Sequence, residues 1–197
     1  MVLIERWIGV EFEFNPFSKA SRAARCERAG RIADALRLYA SIGEDDRIRE
    51  CLAERLPNWP VKRPVIAAAD ALLVLRASAV DVKGRGIPAT MTTALTREVE
   101  ATGEIVWRTA HRIVAAAAQR VDPAEFGDVL AREGARLSGL AQAIQAARVA
   151  LVKLTLSDAG QSRDLEVAEA RLRALAKARE EVEETMGDTL AKPHIKK

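Results

Sequence analysis

Histidine, cysteine and aromatic residues are all scarce in this chain of 197 residues, which has two His, two Cys, three Trp, one Tyr and four Phe. With so few ligating side chains there is no zinc-type ligand set, and no HExxH, ExxH, CxxC or nucleophile elbow occurs. No metal and no cofactor are expected. Cys26 and Cys51 are too isolated to define a disulfide framework and read as reduced, inert thiols on the helices of a cytosolic protein. Long hydrophobic runs are also missing. The longest apolar stretch, 65–80, is interrupted by Asp70 and Arg76 and is too short to cross a bilayer. The opening Met1-Val2-Leu3-Ile4 meets Glu5 and Arg6 before a secretion-type run develops. No membrane partner is expected, and residence in the cytoplasm is.

Charge of one sign is lacking as well. The formal net charge is +3, with 15 Lys and Arg against 12 Asp and Glu in residues 1–88 and 16 of each beyond. That balance gives no appreciable long-range field and does not resemble the surface of a nonspecific nucleic-acid binder. Glycine (11) and proline (7) are sparse while alanine is abundant. Alanine loses no side-chain entropy in a helix, so the composition predicts mostly helical structure with closely approaching helices.

The apolar periodicity agrees. Phe126, Leu130, Leu137, Leu140, Ile144, Leu151 and Leu154 recur three and four apart, with Glu133 and Ala147 at intervening seam positions, as in a helix laid along a partner in coiled-coil fashion. Leu95, Val99, Val106 and Ile113 give a second such helix, and Leu165, Ala168, Leu172, Leu175, Val182 and Met186 a third. Asp122-Pro123-Ala124-Glu125 carries a cap, a first-turn proline and a reciprocal carboxylate, so one helix ends and another begins within a few residues, a connection short enough to force an antiparallel hairpin. Ser157-Asp158-Ala159-Gly160 marks the next reversal, and Gly187 the end. The smooth side made by Gly134, Ser138, Gly139 and Ala143 predicts a close neighbour.

The predicted fold is all-α: an antiparallel three-helix bundle over 89–187, a smaller helical subdomain over 17–88, and an extended arm or short strand over 1–16. A flexible tail occupies 188–197. The arm is read from Val10, Phe12 and Phe14 alternating with Glu11 and Glu13, a period of two. Pro57, Pro60 and Pro64 separate the short helices from an apolar helix over 63–80.

Within the first half, Ala29-Gly30-Arg31-Ile32-Ala33-Asp34-Ala35-Leu36-Arg37-Leu38-Tyr39 resembles the second helix of a tetratricopeptide-type unit. Glycine stands at the tight turn, Ala35 at the close crossing and Tyr39 one turn later. The resemblance spans at most residues 17–56, and no second copy follows at the expected spacing of about 34 residues. It implies one helical hairpin that contacts protein.

Three functional readings follow. The first is a non-enzymatic scaffold or protein-interaction module, self-associating as a homodimer or binding a protein partner, with Val10, Phe12, Phe14, Trp59, Trp107 and Arg173 as interface residues. The second is a nucleic-acid-associated architectural protein. Arg22, Arg25 and Arg28 recur every three residues as a basic stripe, and the loop Lys83-Gly84-Arg85-Gly86 places two cations beside two flexible glycines, without the order of a phosphate-binding Walker loop. The third is an enzyme whose carboxylates meet only on folding, for which Asp70, Glu104 and His111 are the residues to follow.

Overall fold

Seven helices make up the computed structural model, which describes residues 18–57, 62–82, 87–118, 123–156 and 162–190. They are α1 (Lys19–Arg28), α2 (Ile32–Ile42), α3 (Asp45–Arg55), α4 (Lys62–Val82), α5 (Ala89–Ala118), α6 (Pro123–Leu156) and α7 (Ser162–Leu190). No strand occurs among the described residues. The extended segment expected over 1–16 lies outside them, as do Val10, Phe12, Phe14, Trp59, Lys83 and Arg85.

Local chemistry sets the short helices. Ser18 caps α1 by accepting a hydrogen bond of 3.1 Å from the Ser21 amide. Gly30 and Gly43 take φ of +73° and +79°, the left-handed conformation that lets the chain leave one helix and enter the next. Asp45 and Asp46 occupy the first turn of α3, where the helix dipole favours carboxylates. Leu56, before Pro57, is extended and ends that helix. Pro64 is tolerated because it lies in the first turn of α4.

The four long helices form a ring in the order α4, α6, α7, α5. The most extensive packing joins α4 to α6, followed by α6 on α7, while α5 closes the ring against α4 and α7. Outside it, α2 lies across α5, α1 packs on α2, and α3 bridges α2 and α4. A continuous core runs through all seven, including Leu36, Ile48, Leu73, Leu95, Leu140 and Leu175, each 2 % exposed or less.

This corrects the expected three-helix bundle. The three predicted long helices exist, but α4 is built into the same packing. Moreover, α5 and α6, which the short 119–122 connection was expected to make a hairpin, meet only along a short stretch that includes Arg112 and Glu133. The physical reason lies in α4. Val65, Leu72, Leu73 and Leu75 are all buried, and α5 alone cannot cover a helix that is apolar on several sides. Two smaller expectations also change. Helix α7 continues through Gly187 to Leu190; a glycine weakens a helix without ending it. Gly139 is exposed and a Cβ there would touch nothing, so it serves no close crossing.

Charged contacts pin the short helices to the ring. Arg37 meets Glu104 through two hydrogen bonds of 2.5 Å, joining α2 to α5. Arg76 pairs with Asp45 and donates to the Ala40 carbonyl at 2.6 Å, joining α4 to the α2–α3 corner. Glu27, 6 % exposed, accepts from the Tyr39 hydroxyl at 2.8 Å and faces Arg47 at 3.7 Å and Arg55 at 3.8 Å. One buried carboxylate thereby links α1, α2 and α3.

Candidate helix-docking groove

Alanine decides where the ring fails to close. Ala67 and Ala71 on α4 face Ala141, Ala146 and Ala150 on α6 and Val167 on α7, and a groove of about 680 Å³ runs between them. Leucines at these positions would fill that space; methyl groups do not reach across it. Val149 (44 % exposed) and Val167 (42 %) stand on its walls, and Val152 (39 %) and Leu156 (80 %) extend the apolar surface along α6. Gln142, Gln145, Lys153 and Arg171 edge it. No carboxylate lines it, and neither Lys153 nor Arg171 has an ion-pair partner among the described residues.

Two further openings differ in chemistry. Between α5 and α7 a groove of about 710 Å³ is crossed by Arg179, which donates to Glu98 at 2.7 Å and to Glu183 at 3.1 Å. The hydrogen bond to Glu98 raises the Arg179 pKa above its ordinary value. Arg173 edges this groove with its side chain 73 % exposed, 3.8 Å from Glu169. The third opening, a cleft of about 280 Å³, lies among α2, α4 and α5. There the Arg37 hydrogen bonds, helped by Arg108, hold the Glu104 carboxyl below the usual carboxylate range.

The residues singled out from the sequence scatter. Arg22, Arg25 and Arg28 are all exposed on α1, while Glu27, the one carboxylate of that helix, is buried. Trp107 is 4 % exposed and lines the small cleft instead of the outer surface. Asp70 is engaged by Arg49 at 3.0 Å, Glu104 by Arg37, and His111 lines none of the three openings. The fold does not gather these three, and no metal-holding group of His, Cys, Asp and Glu occurs among the described residues. Cys26 and Cys51 are free and buried, and burial, reinforced by Glu27, pushes the Cys51 thiol up to about 12.

The groove itself had one legible sign. Val149, Val152 and Leu156 are spaced three and four apart but stand off the seam of Ile144, Ala147 and Leu151, so they form a second apolar line on α6. Glu133 is a different surprise. It sits on the seam, 4 % exposed, with Oε1 held by Arg136 at 3.2 Å and approached by Arg112 at 3.8 Å, and Oε2 has no hydrogen-bond partner.

The described residues are thus all-α, with a ring of four long helices and three shorter ones on its flank. Comparison with protein-family models, characterised proteins and solved structures finds no match. The tetratricopeptide likeness of residues 17–56 therefore rests on its own residues.

Proposed function

We propose that the chain is a non-enzymatic protein-interaction module. In this reading the α4/α6/α7 groove receives an amphipathic helix of a partner protein whose apolar strip is flanked by acidic residues. The observation that carries this is the groove's composition: an apolar floor, exposed valines, no carboxylate, and two unpaired cations at the edge. Laying the apolar side of a helix into such a groove is a recurrent mode of recognition, read by anchors three and four residues apart. Covering a valine that folding left about two-fifths exposed is worth roughly 0.5–1 kcal/mol, so several anchors together give useful affinity. Lys153 and Arg171 then set orientation and favour an acidic partner. Cytoplasmic residence agrees with the two unpaired thiols, and no helix among the described residues is long and apolar enough to cross a membrane.

Selection of displayed amphipathic helical peptides against the full chain tests this. Enriched sequences should carry Asp or Glu beside the apolar strip, and affinity should fall at least tenfold in Val149→Arg and in the Lys153→Glu, Arg171→Glu double variant. Binders indifferent to both changes would sink the reading. A second copy is the competing occupant. If the wild type sediments as a dimer and Val149→Arg as a monomer, the groove serves self-association.

A second reading has its own observation. The outer side of α1 carries Lys19, Arg22, Arg25 and Arg28 with no exposed carboxylate on that helix. Ten helical residues span roughly 15 Å, enough to follow a few phosphates and too little to read sequence. A mobility shift with duplex and single-stranded DNA that weakens steeply with salt, and disappears in the triple Arg→Ala variant, is its expected signature.

A further inference from the structure

The small cleft among α2, α4 and α5 is lined by a donor with no protein partner among the described residues. Trp107 is 4 % exposed as a residue, and its indole Nε1–H, left accessible by the cleft, makes no hydrogen bond with any described residue. The indole lines the cleft, and its Nε1 lies 3.3 Å from the point where a Cβ on Gly103 would stand. The same added carbon would meet Leu72 at 3.3 Å. Glycine at 103 therefore keeps open the space beside the indole nitrogen, and any side chain there presses on both walls.

The edge of the cleft discriminates by charge. Arg37 is engaged by Glu104, and Arg76 by Asp45 and the Ala40 carbonyl. Neither cation is available to capture an anion without first giving up a partner. Glu100, exposed on the edge, has no ion pair among the described residues and repels anions further. Leu72, Leu73, Val99 and the indole supply an apolar interior. A cleft of about 280 Å³ is at the small end of ligand sites and suits roughly 10–15 non-hydrogen atoms.

We propose that this cleft binds a small, uncharged, mainly apolar molecule bearing one carbonyl or ring-nitrogen acceptor, which takes the Trp107 Nε1–H bond. The site is separate from the α4/α6/α7 groove and shares none of its lining residues.

Titration of the full chain, followed through the Trp107 indole ¹H–¹⁵N signal, tests the inference. The acceptor-bearing probes are 1-indanone, 2-quinolone and isoquinoline, and the controls are indane and naphthalene. At least one acceptor probe should shift the Trp107 signal downfield in a saturable way, at least tenfold more tightly than the control of similar size. Gly103→Ala should weaken that binding at least tenfold. Ser41→Leu, on the exposed edge where folding is not at stake, should do the same by narrowing the mouth. Absence of a saturable shift with all three acceptor probes would mean a water-filled cleft only and overturn the proposal. Equal binding by indane and 1-indanone, or binding unchanged in both variants, would overturn it too.

Discussion

Replacing Leu75 with alanine asks whether α4 belongs to one cooperative unit with α5, α6 and α7. Leu75 is fully buried in the core. Its truncation forfeits about 2 kcal/mol of transfer free energy for the lost carbons. If the neighbours do not collapse, a void of roughly 70 Å³ adds about 1.5 kcal/mol, for a total near 3–4 kcal/mol. For a chain of this length that lowers the melting temperature by roughly 6–16 °C. The informative point is where the loss is felt. Trp107, in a background with Trp7→Phe and Trp59→Phe, reports α5 by fluorescence, while amide hydrogen exchange at Leu175 and Val182 reports α7. Because α4 packs on α5 and α6, and α6 on α7, both probes should lose the same free energy. If urea unfolding of the Trp107 region and exchange in α7 were unchanged while residues 18–82 melted early, α4 would belong to a separate subdomain and the ring would be wrong.

Other consequences are as direct. The Glu104 pKa is depressed in the folded chain, so its contribution to stability is full above the ordinary carboxylate range and is lost as the pH falls through its lowered value. Wild type should therefore lose more stability than Glu104→Gln between about pH 6 and pH 3, and equal losses in acid unfolding titrations would contradict the Arg37 clamp. Cys51, its thiol pushed up to about 12 inside the core, should resist iodoacetamide at pH 8 in the folded chain and react within minutes in urea. Rapid native alkylation would show the α1–α3 packing to be open. Arg179→Ala removes the clamp between α5 and α7 and leaves Glu98, its side chain 12 % exposed, without its cation. A loss of about 1–3 kcal/mol is expected in chemical unfolding, and one below about 0.3 kcal/mol would mean that the pair is solvated.

Helices were legible in this sequence and their neighbours were not. The repeating Leu137, Leu140, Ile144 and Leu151 identify a covered side of α6 correctly, since all four are 2 % exposed or less. A stripe states that a side is covered and does not state by which helix. The short connection to α5 invited a hairpin, whereas the all-round apolar character of α4 gave it the stronger claim on α6. In the sequence Trp107 reads as an interface residue, and the fold turns it inward beside Gly103, a pairing four residues apart on one helix that spacing does reveal in retrospect. The groove depended on alanines from two helices, α4 and α6, separated by up to 83 positions. Alanine reads as helix-forming wherever it stands, so only the second apolar line of α6 hinted at what those small residues leave open.

The order of the ring has a consequence for how the chain is made. Helix α4 ends at Val82, but α6, its largest partner, is complete only at Leu156. At ribosomal speeds of about 5–20 residues per second, α4 waits roughly 4–15 seconds for the surface it was built to cover. During that interval α5 can shield only one of its apolar sides. A growing chain in this state exposes Leu72, Leu73 and Leu75 in varying degree, and two such chains on neighbouring ribosomes present each other with the side that α6 will later claim. Synthesis slowed between positions 83 and 156 should therefore raise aggregation, while the same delay after Leu190 should not.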